Sequence, residues 1–390
     1  MRFLDKNNKS DHSNDEPVLL LLVSEEKYFL SHRLSLAKRA RAAGYRVVVG
    51  TKSMSGDLRS LGLDFDVVDI DFQRSIGRGF SELRALNQLR RCISLSKPTI
   101  VHAVSLKVSI LAALCLLGSK NVYLLCAFTG FGHAFTSHRA GAKIIKAIVV
   151  FLLKGLLRNC RYWSVVQNID DFELLKKIRG NSFDRTRIIK GSGVDINFFS
   201  FSGLPRQVKK KVLFPGRLLG DKGIYEFVGA ARLIRSRRSD VDFILAGHLD
   251  ETNPSTVSSK DLKEWIEDYL VEWVGEVKDI RTLFRESCVV CLPSYREGLP
   301  KSLLEAASTG RPIVSTDVPG CREICRHQEN GLLVPVKNAE KLAFALEKLL
   351  NDFELCGRFG IAGRKIVENE FSDNRINDDF ISMYEQVRRV

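Results

Sequence analysis

The chain has 390 residues, 45% of them hydrophobic, with nine cysteines and a formal charge of +14. That length exceeds what one core usually serves, so two domains of about 100 to 200 residues each are expected. The longest apolar stretch, IIKAIVVFLLKGLL at 144–157, is broken by Lys146 and Lys154 and falls short of the roughly 20 apolar residues of a bilayer span.

The charge is lopsided. Residues 1–200 carry 31 Lys and Arg against 17 Asp and Glu, whereas residues 201–390 carry 29 against 29. An anionic partner is therefore expected for the first half alone. Cys92, Cys115, Cys126 and Cys160 sit in apolar stretches and read as reduced core thiols of a cytoplasmic protein.

In chain order, residues 1–16 read as a flexible segment. The apolar run Val18 to Val23 that follows is too short for a signal sequence. Apolar strand-like runs then alternate with amphipathic stretches: VLLLLV, LSHRLSLAKRARAAG, YRVVVG, FDVVDI, TIVHAV, NVYLLCAF, RYWSVV and TRIIKG. This is the rhythm of βαβ units in a parallel sheet, and it marks a first domain over 17–197. FFSFSGLPRQVKKK breaks the rhythm, so 198–211 reads as a linker.

A second series over 212–370 has strand-like runs VLFPGR, VDFILAG, VEWVGEV, CVVCLPS, PIVSTDV and GLLVPV. Residues 371–390 read as a final helix that packs back on the first domain. The expected class is α/β, two doubly wound Rossmann-like domains facing across a cleft, with ligands outside the carboxyl ends of the strands.

Two segments of the second domain carry candidate chemistry. In FPGRLLGDKG, Arg217 and Lys222 follow a strand, where fixed cations can hold a diphosphate and stabilise it as a leaving group. In SYREGLPKSLLEAASTGRP, Pro300 suits a first helical turn, and Gly310 and Pro312 end the helix. Glu297 and Gly298 then lie on the strand-to-helix loop and Glu305 inside the helix. The N–H groups around Leu299 to Leu303 form a helix N-terminus suited to an anion. A carboxylate placed like Glu305 can bond a ribose. An ordinary amphipathic helix with a loop glutamate is the competing reading.

GRLLGDKG, LPSYREGLPKSLLEAAS and VPGCREI together resemble the retaining glycosyltransferases of family 4, whose Glu-x7-Glu signature Glu297 and Glu305 match. YFLSHRLSLAKRARAAGYRV, VHAVSLK, FTGFGHAF, QNIDD and GSGVD resemble the subgroup that builds O-antigen, capsule or N-glycan saccharides on a polyprenyl carrier. The resemblance implies the GT-B fold and no cofactor or metal, with a UDP-sugar as donor and a polyprenyl-diphosphate-linked saccharide as acceptor. It implies that Glu305 binds the ribose and that Glu297, with Gly298, Leu299 and Pro300, holds the donor sugar. Arg217 and Lys222, next to Gly216, grip the diphosphate. The transferred group is expected to be a hexosamine or related hexose.

Where many relatives carry a His before the glycine of Phe128-Thr129-Gly130, this chain has Thr129. His133, His102 and His32 are candidate sugar or acceptor contacts beside Thr129 and Gly130. Asp64-Phe-Asp66 and Asp69-Ile-Asp71 read as surface carboxylates, and Gly130-Phe-Gly132 lacks the third glycine of a dinucleotide loop. Cys288-Val-Val-Cys291 has half a zinc spacing without a second pair.

Arg139, Lys143, Lys146, Lys154, Arg158 and Arg161 accompany Ile144 to Leu157 as a basic amphipathic segment. With Arg74, Arg78, Arg84, Arg90 and Arg91, they suit the anionic inner-membrane surface, the competing reading of 144–157 being a core helix with a solvated face. No nucleic-acid module accompanies the charge. The competing functions are a UDP-sugar epimerase of similar fold, or a basic membrane-surface scaffold without catalysis.

Overall fold

A computed structural model of the chain describes residues 16–52, 65–72, 79–119, 121–130, 150, 155, 161–179, 185–206, 209–251 and 253–389. The described strands are β1 Val18–Leu22, β2 Arg46–Thr51, β3 Asp66–Asp69, β4 Ile100–Val104, β5 Tyr123–Phe128, β6 Tyr162–Val166 and β7 Thr186–Ile188, then β8 Lys210–Pro215, β9 Val241–Ala246, β10 Glu272–Trp273, β11 Val289–Leu292, β12 Ile313–Thr316 and β13 Gly331–Val334. They form two sheets, ordered β3-β2-β1-β4-β5-β6-β7 and β10-β9-β8-β11-β12-β13. Every pairing is parallel, as in Leu20 opposite Val48 on one side and Val101 on the other. Strands covered on both faces favour apolar side chains along their length, as VLLLL and VVCL show, with occasional buried polar residues such as His102 in IVHAV. The strand order reverses where β1 meets β4 and where β8 meets β11, the places where open α/β sheets leave a crevice at their carboxyl ends.

The chain divides into two units. The first holds the residues through Ser192 together with Asn374 onward, and the second holds Gly193–Asp373. The division therefore falls before the expected linker. Residues 196–203 are strapped to the second unit by two arginines. Arg364 Nη1 donates to the carbonyls of Ile196, Phe199 and Ser308, each at 3.0 Å. Arg311, with no exposed surface, bonds the carbonyls of Ser202, Gly203, Thr309, Ser287 and Arg285. Burial holds its guanidinium down to about 10. A loop rich in Gly and Pro reads as a linker because its backbone groups lack a ladder. Here those groups are satisfied by distant side chains.

In the first unit, apolar residues pack on both faces of the sheet. The amphipathic stretch LSHRLSLAKRARAAG lies on two helices, Glu26–His32 and Leu34–Ala42, separated at Arg33, whose φ of −130° leaves the helical region. Arg33 is buried, with Nη1 3.4 Å from the Gly191 carbonyl and its guanidinium 5.4 Å from the Phe380 ring. Phe380 belongs to the last helix, Asp373–Arg389, whose apolar side joins the core over β1, β4 and β5.

Asp66 pairs with Arg46 at 2.7 Å and Asp71 with Lys52 at 3.1 Å, so these carboxylates make part-exposed ion pairs. Asp64 lies outside the described residues. The stretch read as the strand VEWVGEV contributes only the two residues of β10, ending before Gly275 at φ +74°.

Candidate active site

The site is assembled at the carboxyl ends of β8 and β11, neighbouring strands of the second sheet. Beyond β8 the backbone stays bonded to the chain leaving β9: the Gly216 N–H donates to the Ala246 carbonyl at 2.8 Å and that of Leu218 to His248 at 3.1 Å. The two segments cross so closely that a Cβ on Gly247 would lie 1.9 Å from the Gly216 oxygen. This crossing brings Arg217 to Asp250, with Nη1 2.7 Å from Oδ2. The Asp250 side chain is 7% exposed and that of Arg217 40%, so the carboxylate is the buried anchor and the cation is presented outward.

The chain then makes a 3₁₀ turn, Gly220–Lys222, closed by Gly223 in the left-handed region at φ +75°. Ser255 holds this turn from outside, accepting from the Gly220 N–H at 2.7 Å through its carbonyl and from the Asp221 N–H at 3.0 Å through its hydroxyl. A Cβ on Gly223 would lie 2.1 Å from the Pro293 oxygen, the first residue beyond β11. The Lys222 turn is thus seated on the chain leaving the next strand. The Lys222 ammonium donates to Oε1 of Glu297.

Glu297 is placed by the loop Pro293–Pro300. The Ser294 hydroxyl donates to the same Oε1 at 2.6 Å. From the end of β12, the Thr316 hydroxyl donates to the Ser294 carbonyl, and Ser315 Oγ donates to the Leu292 carbonyl at 2.7 Å. The Glu297 N–H reaches the Pro319 carbonyl at 3.4 Å, and Gly320 at φ +80° passes so close that a Cβ there would lie 2.5 Å from the Gly298 oxygen. The Tyr295 phenol donates to Glu226 at 2.8 Å.

Pro300 stands just before the helix Lys301–Ser308, and its carbonyl takes the Leu303 N–H at 3.1 Å. Leu299 packs part-buried against the core. Glu305 lies one turn inside that helix and keeps only partial contact with solvent. Burial pushes its carboxyl up to about 7, opposed in part by the Lys301 charge. The acceptor stays largely desolvated until a donor arrives, the condition under which a hydrogen bond to a ligand counts most.

Of the residues expected in the first domain, Thr129 and Gly130 lie just beyond the carboxyl end of β5, with Gly130 at φ +122°. His32 ends the helix Glu26–His32, its Nδ1 2.7 Å from Ser31 Oγ and its ring stacked on Tyr28 at 4.3 Å. His133, Gly132, Arg74, Arg78, Arg139, Lys143, Lys146, Lys154 and Arg158 lie outside the described residues.

His102 is corrected. It has no exposed surface, its Nδ1 lies 2.6 Å from the Tyr384 hydroxyl, and burial pulls its imidazole well below the usual range. Sealed under the last helix, the ring offers no surface to a sugar and bonds Tyr384 of that helix instead. Gly216 spends its N–H on Ala246, and it is Gly247, whose Cβ would strike the Gly216 oxygen, that permits the loop crossing. Asp250, Ser294 and Thr316 were not singled out from the sequence. Only Ser294 carried a local signal, three residues before Glu297.

The chain matches two family models, glycosyl transferase 4-like over residues 18–159 and glycosyl transferases group 1 over 209–352. It is 25% identical over 354 residues to the N,N'-diacetylbacillosaminyl-diphospho-undecaprenol alpha-1,3-N-acetylgalactosaminyltransferase of Campylobacter jejuni, covering 87% of this chain and 90% of that one. It is 24% identical to the capsular polysaccharide biosynthesis glycosyltransferase CapM of Staphylococcus aureus, over 78% of this chain and 81% of the relative. Among solved structures, the sucrose-phosphate synthase of Thermosynechococcus elongatus superposes with a TM-score of 0.76 at 19% identity, over 95% of this chain and 99% of that chain. Anabaena HepE, solved with UDP and glucose, gives 0.75 at 18% identity over 95% and 100%. These likenesses show the GT-B fold.

Proposed function

The chain belongs to the glycosyltransferases that combine 4-like and group 1 domains and acts in polysaccharide biosynthesis, and from that premise we propose that it is a retaining transferase moving a hexosamine or related hexose from a UDP-sugar to a polyprenyl-diphosphate-linked saccharide of a bacterial surface polysaccharide. The observation that carries this reading is the meeting of Lys222 and Glu297 at adjoining strand ends, with Arg217 on the same loop and Glu305 one helical turn beyond.

Each residue has a stated part. Arg217 and Lys222 hold the donor's diphosphate and stabilise the negative charge that grows on it as the bond from the anomeric carbon to phosphate oxygen breaks. Glu305 accepts from the ribose hydroxyls, and Glu297, with the backbone of Gly298 to Pro300, holds the sugar. The electron pair of the broken bond leaves with the diphosphate. The acceptor hydroxyl attacks from the same face, and its proton passes to a departing phosphate oxygen. A cation-like sugar and an anionic leaving group are then stabilised together. Uridine is supported by the UDP bound in a neighbour of the same fold, and the lipid-linked acceptor by the name of the Campylobacter jejuni relative.

We place it peripherally on the cytoplasmic face of the inner membrane as part of this proposal, a reading supported by the basic first half. Arg84, Arg90 and Arg91 are exposed on the helix Gly79–Ser96. No helix among the described residues is long and apolar enough to cross a membrane.

The test incubates purified protein with UDP-glucose, UDP-N-acetylglucosamine or UDP-N-acetylgalactosamine and a polyprenyl-diphosphate disaccharide. A product with the donor's anomeric configuration, together with weaker UDP binding in Glu305→Ala, supports the reading. Conversion of the UDP-sugar without acceptor, or unchanged UDP affinity in Glu305→Ala, overturns it. Flotation with anionic vesicles that weakens as salt rises tests the membrane part, and no flotation at low salt removes it.

A further inference from the structure

Glu297 is held by one oxygen only. Oε1 takes both the Lys222 ammonium and the Ser294 hydroxyl, while Oε2 receives no hydrogen bond from any described residue. A carboxylate has about four acceptor sites, so two donors on one oxygen fix the plane and direction of the group and leave the other oxygen ready. Two donors are needed for this. Lys222 alone is an ammonium on a flexible stem, able to swing with its partner.

Ser294 is suited to be the second, rigid donor. Its surface is fully buried, so it touches no substrate itself. Its backbone is pinned from the next strand by the Thr316 hydroxyl on its carbonyl, and the residue before it lies against the Lys222 turn.

From this geometry we infer that Ser294 is a positioning residue: its hydroxyl locks Oε1 of Glu297 so that Oε2 faces the donor sugar. The inference rests on the reading of Glu297 as the residue that holds that sugar. Ser294 then acts on the sugar and not on the nucleotide, because its hydroxyl donates to Glu297 and not to Glu305 or the Arg217–Asp250 pair.

The experiment compares wild type, Ser294→Ala, Ser294→Thr and Glu297→Gln in the full chain, reading steady-state kinetics and the binding of UDP and of UDP-glucose, UDP-N-acetylglucosamine and UDP-N-acetylgalactosamine. Loss of one hydrogen bond to a charged group predicts a fall in kcat of roughly tenfold to a hundredfold for Ser294→Ala. UDP affinity should stay within about twofold of wild type, while the UDP-sugar that supports turnover loses most of its advantage over UDP. Ser294→Thr, which keeps the hydroxyl, should recover most of the activity. Wild-type turnover in Ser294→Ala overturns the inference, as does an equal loss of UDP and UDP-sugar binding, which would mark a merely structural hydroxyl. If Glu297→Gln also keeps full turnover, the donor-site reading itself falls and this inference with it.

Discussion

The ammonium of Lys222 donates to the carboxylate of Glu297 across a sequence separation of 75 residues, and both side chains are largely covered, 22% and 11% exposed. A pair this enclosed is more sensitive to the loss of one member than a surface ion pair, because the survivor keeps a charge it cannot easily hydrate.

Lys222→Ala should therefore lower kcat by about 100-fold or more, the scale of removing one preorganised charge stabiliser. It should also destabilise the second unit, since it leaves Glu297 with Ser294 as its remaining donor. Lys222→Met in combination with Glu297→Gln should recover stability but not activity. Thermal melts and initial rates on the same preparations separate the two effects.

Glu305 predicts a pH dependence of stability. Its carboxyl stands at about 7 against an ordinary 4.5. Between those values the folded protein holds a proton that the unfolded chain has released, so stability falls as pH rises through that window and stays low above it. The shift corresponds to about 3 kcal/mol at 1.4 kcal/mol per unit, reduced to on the order of 2 kcal/mol by the side chain's partial opening to water. Glu305→Gln should melt higher than wild type at pH 8 and equally near pH 4. It should bind UDP more weakly at pH 8, where the wild-type carboxylate is ionised, with the difference shrinking toward pH 4, a trade of function against stability expected at a binding site.

Gly223→Ala should be severe. The residue needs φ +75°, and the added carbon would stand 2.1 Å from the Pro293 oxygen. The Lys222 turn would have to lift from the chain leaving β11. A loss of about 2 to 4 kcal/mol in a denaturant midpoint, with transfer activity abolished, is the expected result. Gly216→Ala, whose new carbon would find 3.8 Å of room, should be mild by the same measurement.

Arg311→Met should cost about 3 to 5 kcal/mol, since it strips the donor from the carbonyls of the buried residues Ser287 and Thr309 and frees those of Ser202 and Gly203. Limited proteolysis should then cut near residues 200–206 in the variant and spare them in wild type. Arg311→Lys should behave almost as badly, because one ammonium cannot reach acceptors that a planar guanidinium spans.

The two-sheet architecture was legible because a parallel strand buried on both faces is mainly apolar along its length, so runs such as LLLLV and CVVCL announce themselves without their neighbours. The donor-site signature was legible for a similar reason: Glu297 and Glu305 lie on one loop and the helix it enters, and that spacing is local. The strap over 196–203 was not. Its residues read as a linker because the arginines that satisfy its carbonyls, Arg311 and Arg364, come from more than a hundred residues away. His102 looked like a candidate contact until Tyr384, 282 residues further on, closed over it.

The sequence by itself determined the strands, the helix carrying Glu305 and the loop cations, since each depends on side-chain periodicity or local turn chemistry. Only the tertiary structure decided which groups meet: Lys222 with Glu297, Arg217 with Asp250, and Ser294 with the same oxygen as Lys222. The reason is topological. Parallel crossovers bring to one sheet edge the ends of strands far apart in the chain, and no local pattern records which of those ends become neighbours.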